Sequence, residues 1–210
     1  MNCHQCQQNC QTKKPNWWSR WMKKRRPRLQ AIESNIALVG TPNVGKSVLF
    51  HRLTGMYVDV SNYPGTTVEV SRGITKLKGR QIGVIDTPGM YSLVPISEEE
   101  KVARDLLLQE SLDAVIHVID AKNLGRMLPL TFQLMEAELP VILAVNMMDE
   151  ADSLGLKVRS QVLKTELDIP VILMSAALNR GIRELKQTIL QSLSLSSSQD
   201  LALGNLEVAR

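Results

Sequence analysis

Gly40-Thr41-Pro42-Asn43-Val44-Gly45-Lys46-Ser47 spells G-x-x-x-x-G-K-[ST] between a short run of apolar β-formers, Ile36–Val39, and an amphipathic stretch, Lys46–Leu53. A strand, a glycine-rich turn and a helix start are the context that a phosphate-binding loop requires, so few folds remain open to this chain. The glycines let backbone N–H groups close around a phosphate, and the helix amino terminus adds partial positive charge. Lys46 is expected to reach the β and γ phosphates, and Ser47 to give an oxygen to Mg²⁺. Thr41, Pro42, Val44 and Val48 complete the cradle.

From Ser34 onward, short Val/Ile-rich runs alternate with amphipathic stretches, the pattern of βαβ units around a parallel sheet. The spacing predicts buried strands over 36–39, 81–85, 114–119, 141–145 and 171–174. A further strand over 68–77 turns through Lys78-Gly79-Arg80 into its neighbour as an antiparallel hairpin. Helices are expected over 46–53, 97–109, 124–136, 156–167 and 182–193. The fold class is therefore α/β, a P-loop NTPase with a six-stranded, mostly parallel sheet (one strand antiparallel) and about five helices. A composition of 44% apolar and 22% charged residues suits a packed domain of this kind. No apolar run approaches the roughly eighteen residues of a membrane span. The divisions expected are a flexible leader over 1–30, the domain over 31–194 and a frayed tail over 195–210.

Three further strings fall behind predicted strands. Asp86-Thr87-Pro88-Gly89 places an acid beside the nucleotide's metal and a glycine where a γ phosphate would be sensed. Asn146-Met147-Met148-Asp149 presents an amide and a carboxylate three residues apart, matched to a guanine edge, and the carboxylate selects against adenine. Ser175-Ala176-Ala177 would complete the base pocket through backbone N–H groups. Between the Gly40–Ser47 loop and the Asp86 turn, Val60 to Glu69 contains Pro64 and Gly65, the marks of a mobile loop, then Thr66 and Thr67. One of these threonines should reach Mg²⁺ when the γ phosphate is present, and Thr67 is favoured over Thr66. The order and spacing are those of a GTP-binding domain, with Ser47, Thr67 and Asp86 as the Mg²⁺ set and GTP or GDP as the ligand.

The leader differs from the body. Residues 13–28 hold eight Lys/Arg, residues 1–28 hold no Asp or Glu, and the rest of the chain carries 17 basic against 21 acidic residues, a net of −4 beneath an overall +4. All three tryptophans, Trp17, Trp18 and Trp21, lie here, as do all three cysteines. Cys3, His4, Cys6 and Cys10 could form a tetrahedral site for Zn²⁺ or Fe²⁺; a redox or inter-chain thiol role and a tail without function stay open beside it. The Trp/Lys/Arg stretch of residues 13–28 fits contact with a membrane surface or a permease, contact with nucleic acid, or a solvated linker, the first being favoured. His51, on the loop's helix, and His117, inside a strand, read as packed or surface-satisfied side chains.

Over roughly residues 32–190 the chain resembles the G domain of FeoB, the ferrous iron transport protein. Beyond the generic boxes, the likeness rests on the Pro42-Asn43 loop, Ser61-Asn62-Tyr63-Pro64-Gly65-Thr66-Thr67, Tyr91-Ser92-Leu93 after the Asp-Thr-Pro-Gly turn, and Asp120-Ala-Lys-Asn-Leu running into Leu128-Pro-Leu-Thr-Phe-Gln-Leu. It rests also on Asn146-Met-Met-Asp-Glu, with Met147 where most relatives of G domains carry Lys. The resemblance implies GTP hydrolysis to GDP and phosphate, slow and Mg²⁺-dependent. Met90 stands where many G proteins place a water-orienting Gln. The resemblance to potassium-activated GTPases implies instead that Asn43 helps hold a K⁺ beside the phosphates, so that Asn43, Lys46, Thr67 and Gly89 form the catalytic set.

The family continues into a helical regulatory domain and a membrane region, for which this sequence has no room. The expectation is a stand-alone, split-type G protein at the inner, cytoplasmic face of the cell membrane, acting on a separate FeoB-type iron permease, a piece of a longer chain being the alternative. Two other functions compete: a ribosome- or RNA-assembly GTPase, against which Met147 and Tyr91-Ser92-Leu93 argue, and a metal-sensing adaptor resting on the three cysteines.

Overall fold

The computed structural model describes residues 32–55 and 58–207, with side chains as far as Ser194. Seven strands form one sheet: β1 Ser34–Val39, β2 Val58–Asn62, β3 Glu69–Leu77, β4 Arg80–Asp86, β5 Ala114–Asp120, β6 Val141–Asn146 and β7 Val171–Leu173. Their order is β2-β3-β4-β1-β5-β6-β7, and only β3 runs against the others. The helices are α1 Lys46–Thr54, α2 Glu98–Gln109, α3 Leu124–Glu136, α4 Met148–Ser153, α5 Ser160–Leu167 and α6 Ile182–Glu207.

The central strands read as continuous apolar runs because both their faces are covered. Ile36 and Leu38 of β1 point to one side, where Leu49, Phe50 and Leu53 of α1 and Leu185 and Ile189 of α6 pack on them. Ala37 and Val39 point to the other, against Val102 and Leu106 of α2 and Leu130 and Leu134 of α3. A third cluster joins Leu143 and Val145 of β6 to Ala151 of α4 and Leu167 of α5. From β1 the chain passes to β4 on one side and then crosses to β5 on the other. Such a reversal opens a crevice at the carboxyl ends of the strands, where open α/β sheets bind ligands.

The α/β reading and the single antiparallel strand are borne out; the strand count is not six but seven. β2 is the strand without a sequence signal: Asp59, Val60, Ser61 and Asn62 are exposed, it pairs on one side only, with β3, and its second half falls in the stretch from Val60 expected as a loop. The expected hairpin is present, with Lys78 and Gly79 both at positive φ as a two-residue turn demands. α4 is a sixth helix, of one and a half turns, that periodicity cannot register. The helix expected over 156–167 begins instead at Ser160, after Gly155 at φ 71°. The last helix runs past the expected end at Leu193 to Glu207; no proline follows Pro170 to stop it.

Candidate nucleotide site

The carboxyl ends of β1, β4, β6 and β7 bring four of the strings together. The β1 loop ends at Gly45, whose left-handed backbone (φ 88°) lets the chain swing into α1. A Cβ there would meet Asn146 Nδ2 at 2.5 Å, so glycine is needed for both shape and space. No side chain caps the start of α1 and no acid lies in its first turn, so its amide donors face the loop. Lys46 is buried, and its ammonium donates to Gly40 O at 3.1 Å and Thr41 O at 3.2 Å. Burial pushes its pKa down, and the nearby Asp86 carboxylate partly offsets this.

Ser47 Oγ donates to Asp86 Oδ2 at 2.9 Å, while Asp86 Oδ1 and Thr41 Oγ1 are buried without a hydrogen-bond partner. Burial raises the Asp86 pKa, against the lowering effects of the Ser47 hydroxyl, Lys46 and His51. A hydroxyl beside a carboxylate with an unsatisfied oxygen is a hard-oxygen donor set that fits Mg²⁺. After Asp86, Thr87 Oγ1 donates to Leu38 O at 2.8 Å and Met90 N to Gly40 O at 3.1 Å, so the second loop lies on the first. Gly89 touches Pro42 so closely that a Cβ would come within 2.7 Å of the proline ring. Met90 itself is buried.

Asn146 joins the base-side loops to the phosphate loop. Its Nδ2 donates to Val44 O at 2.8 Å and its Oδ1 accepts from Ala176 N at 2.9 Å. Met147, at φ 60°, turns the chain so that Asp149 stands in the first turn of α4. The Ser175 hydroxyl is the main influence holding the Asp149 carboxyl below the usual carboxylate range, with Arg180 adding to it.

Among the described residues no hydrogen bond joins Gly65, Thr66 or Thr67 to Ser47 or Asp86. Thr66 Oγ1 donates to Tyr63 O at 3.0 Å and accepts from Val68 N at 3.2 Å, which ties it within its own turn, whereas Thr67 is exposed. Asn43 is exposed with φ 65°. His51 is exposed and packs edge-to-face on Phe50. His117 is buried, its Nδ1 bonded to Thr131 Oγ1 at 2.9 Å and its Nε2 without a partner; burial lowers its pKa to about 3. Among the described residues no three or more His, Cys, Asp or Glu side chains gather as a metal site of their own, and no helix is long and apolar enough to cross a membrane. Cys3, His4, Cys6, Cys10 and the basic stretch lie outside the described residues.

Three contributors escaped the sequence reading. Glu100 accepts from Tyr91 N at 3.1 Å and Ile96 N at 2.8 Å, and Gln133 Oε1 accepts from Leu93 N at 2.8 Å and Ser92 Oγ at 3.1 Å. Together they fix the loop after Gly89 to α2 and α3. Arg52 reaches from α1 to Ala176 O and Ala177 O. Only Glu100 had a legible signal, the capping-box spacing Ser97-x-x-Glu100, and Ser97 Oγ does accept from Glu100 N.

Residues 34–189 match the family described as Ferrous iron transport protein B. The Fe(2+) transporter FeoB of Staphylococcus aureus (strain MSSA476) is 40% identical over 151 residues, which make 72% of this chain and 22% of that protein. The Fe(2+) transporter FeoB of Escherichia coli (strain K12) is 40% identical over 158 residues, 73% of this chain and 20% of that one. The chain thus spans about a fifth of the length of the curated relatives it matches. Among solved structures, the FeoB G domain of Methanococcus jannaschii aligns with a TM-score of 0.68 at 40% identity, covering 77% of this chain and 97% of that one. The cytosolic domain of the T. maritima FeoB iron transporter in a GDP form aligns at 0.73 and 43% identity, covering 76% and 63%. With a whole-domain match to solved G domains and a family match across three quarters of its length, the chain belongs to the ferrous iron transport protein B family, of which it carries the G domain.

Proposed function

We propose that this chain binds GTP and GDP where β1, β4, β6 and β7 end, hydrolyses GTP slowly to GDP and phosphate, and acts as the switch that regulates ferrous iron uptake through an FeoB-type permease at the cytoplasmic face of the membrane. The observation that carries the reading is Asn146, bonded to both Val44 O and Ala176 N, with Asp149 beside Ser175: the loop expected to hold phosphates and the loops expected to hold a base form one bonded unit.

Mg²⁺ bound by Ser47 and Asp86, and by Thr67 when GTP is present, would neutralise charge on the β and γ phosphates. The rest is done by the chain. Lys46 exchanges its bonds to Gly40 O and Thr41 O for phosphate oxygens, which suit an ammonium better than neutral carbonyls. The free amides at the start of α1 face the phosphates. Gly89, packed on Pro42, offers its N–H toward the γ phosphate, so gain or loss of that group is felt by the loop that Glu100 and Gln133 hold. Asp149 accepts from the two N–H groups of guanine's edge, and Ala177 presents its backbone N–H to the guanine carbonyl, while Ala176 N stays on Asn146 Oδ1 and fixes the loop's place. Met90 is buried and has no group to orient a water, so intrinsic hydrolysis is slow. Asn43 offers an amide oxygen for K⁺ beside the phosphates.

The reading is tested by capturing the tagged chain from detergent-solubilised native membranes, loaded with a non-hydrolysable GTP analogue or with GDP. Enrichment of a multi-span membrane protein with the GTP analogue over GDP is expected. Ribosomal proteins or RNA in its place would contradict the transport role.

A further inference from the structure

We propose that Arg52 is a positioning residue that clamps the Ser175–Arg180 loop and so sets the rate at which guanine nucleotide leaves, an inference that rests on the guanine-nucleotide reading above. Arg52 lies in the last turn of α1, the helix that begins with Lys46 and Ser47. Its Nε donates to Ala176 O at 3.1 Å and its Nη2 to Ala177 O at 2.8 Å. Two successive carbonyls are a target that a planar guanidinium with several fixed donors can meet, and a single ammonium cannot meet both as well.

The loop has few other means of staying in place. Ser175 and Arg180 exchange backbone bonds of 3.1 and 3.0 Å that close it, yet Ala177, Leu178, Asn179 and Arg180 are all exposed. Asn179 holds a left-handed backbone at φ 57°. An Arg180–Asp152 pair at 3.8 Å between exposed side chains contributes little. Against that, Asn146 holds Ala176 N on one flank and Arg52 holds Ala176 O and Ala177 O on the other. Asn146 is itself bonded to Val44 O, eight residues before Arg52 in the chain. The loop expected to face the base is thereby tied at two points to the same loop-and-helix unit that is expected to face the phosphates. Releasing the Arg52 tie leaves Ser175 and Ala176 held by Asp149 and Asn146 but takes the side-chain hold off the Ala177 carbonyl, so the exposed stretch from Ala177 to Arg180 can open by local fluctuation, which acts on dissociation rather than association.

The experiment is stopped-flow dissociation of a fluorescent GDP analogue, and of a fluorescent non-hydrolysable GTP analogue, from the wild type, Arg52→Ala and Arg52→Lys. Arg52→Ala is expected to raise both off-rates about tenfold and by the same factor, since the clamp sits on the base side and not at the γ phosphate. Arg52→Lys, able to reach one carbonyl, is expected to fall between. Off-rates for Arg52→Ala within twofold of the wild type overturn the clamp, as does a lowered melting temperature of the nucleotide-free variant with unchanged off-rates, which would give Arg52 a structural role alone. A wild type that does not retain the GDP analogue, or releases it to excess ADP as readily as to GDP, fails one step earlier and overturns the nucleotide reading together with the clamp.

Discussion

Ser47 and Asp86, thirty-nine residues apart, meet through a 2.9 Å hydrogen bond that leaves the second carboxylate oxygen buried and unpartnered. Burial raises the pKa of this carboxyl above that of an aspartate in an unfolded chain. The folded state therefore holds the proton more tightly, and the group's contribution to stability declines as pH rises through that window. Asp86→Asn removes a charge that the fold pays to desolvate. It is expected to stabilise the nucleotide-free protein by about 1 kcal/mol, or about 2–4 °C in melting temperature for a domain of this size, while abolishing Mg²⁺-dependent tightening of GTP binding. Calorimetry of the variant with and without Mg²⁺ checks both halves; a variant that melts lower, or still responds to Mg²⁺, contradicts the assignment.

Glu100 contributes with the opposite sign. Backbone donors at Ile96 and Tyr91 hold its pKa below the usual glutamate value, so its contribution is fully present above the unfolded-state pKa and is lost as pH falls through the folded one. Glu100→Ala should cost about 1.5–3 kcal/mol at pH 7, because two amides lose a charged acceptor. Urea unfolding of variant and wild type at pH 7 and at pH 3.5 should show the gap narrowing in acid.

His117 stays neutral in the folded protein down to a pKa of about 3, whereas an unfolded histidine protonates near 6.5. Unfolding therefore takes up a proton below pH 6.5, and stability falls by about 1.4 kcal/mol per pH unit from this group as acidity increases. His117→Leu should flatten the stability profile between pH 6 and 4, whatever its effect at pH 7. An unchanged slope would show that acid sensitivity comes from elsewhere.

The sheet, its two covered faces and most of the candidate nucleotide site are legible in the sequence because each is written locally. Gly40 to Ser47 needs its glycines in one loop, and Ile36 to Val39 or Ala114 to Ile119 must be apolar throughout to lie between helices. β2 was not legible, since an edge strand with exposed Asp59, Ser61 and Asn62 carries no burial pattern. Nor were Gln133 and Arg52, whose partners lie 40 to 125 residues away and, apart from the Ser92 hydroxyl, are backbone groups with no side-chain identity to read. The sequence could favour Thr67 over Thr66 only by position; the structure adds a physical reason, the commitment of the Thr66 hydroxyl to Tyr63 and Val68.

Asn43 is expected to make hydrolysis sensitive to the monovalent cation. Phosphate release in KCl should exceed that in NaCl at equal ionic strength for the wild type, and Asn43→Ala should remove the difference while GDP affinity changes little, because the side chain is exposed and outside the base-side bonds. Equal rates in the two salts would leave Asn43 as a turn residue.

The central claim is that Asp149 and the loops bonded through Asn146 recognise guanine. Isothermal titration of the wild type and Asp149→Asn with GDP and with xanthosine diphosphate tests it, since xanthine carries a carbonyl where guanine carries an amino group, and an amide can donate to it where a carboxylate cannot. The account predicts that the variant loses about a hundredfold in GDP affinity and gains for xanthosine diphosphate. GDP binding undiminished in Asp149→Asn, or tighter binding of ADP than GDP by the wild type, would contradict it.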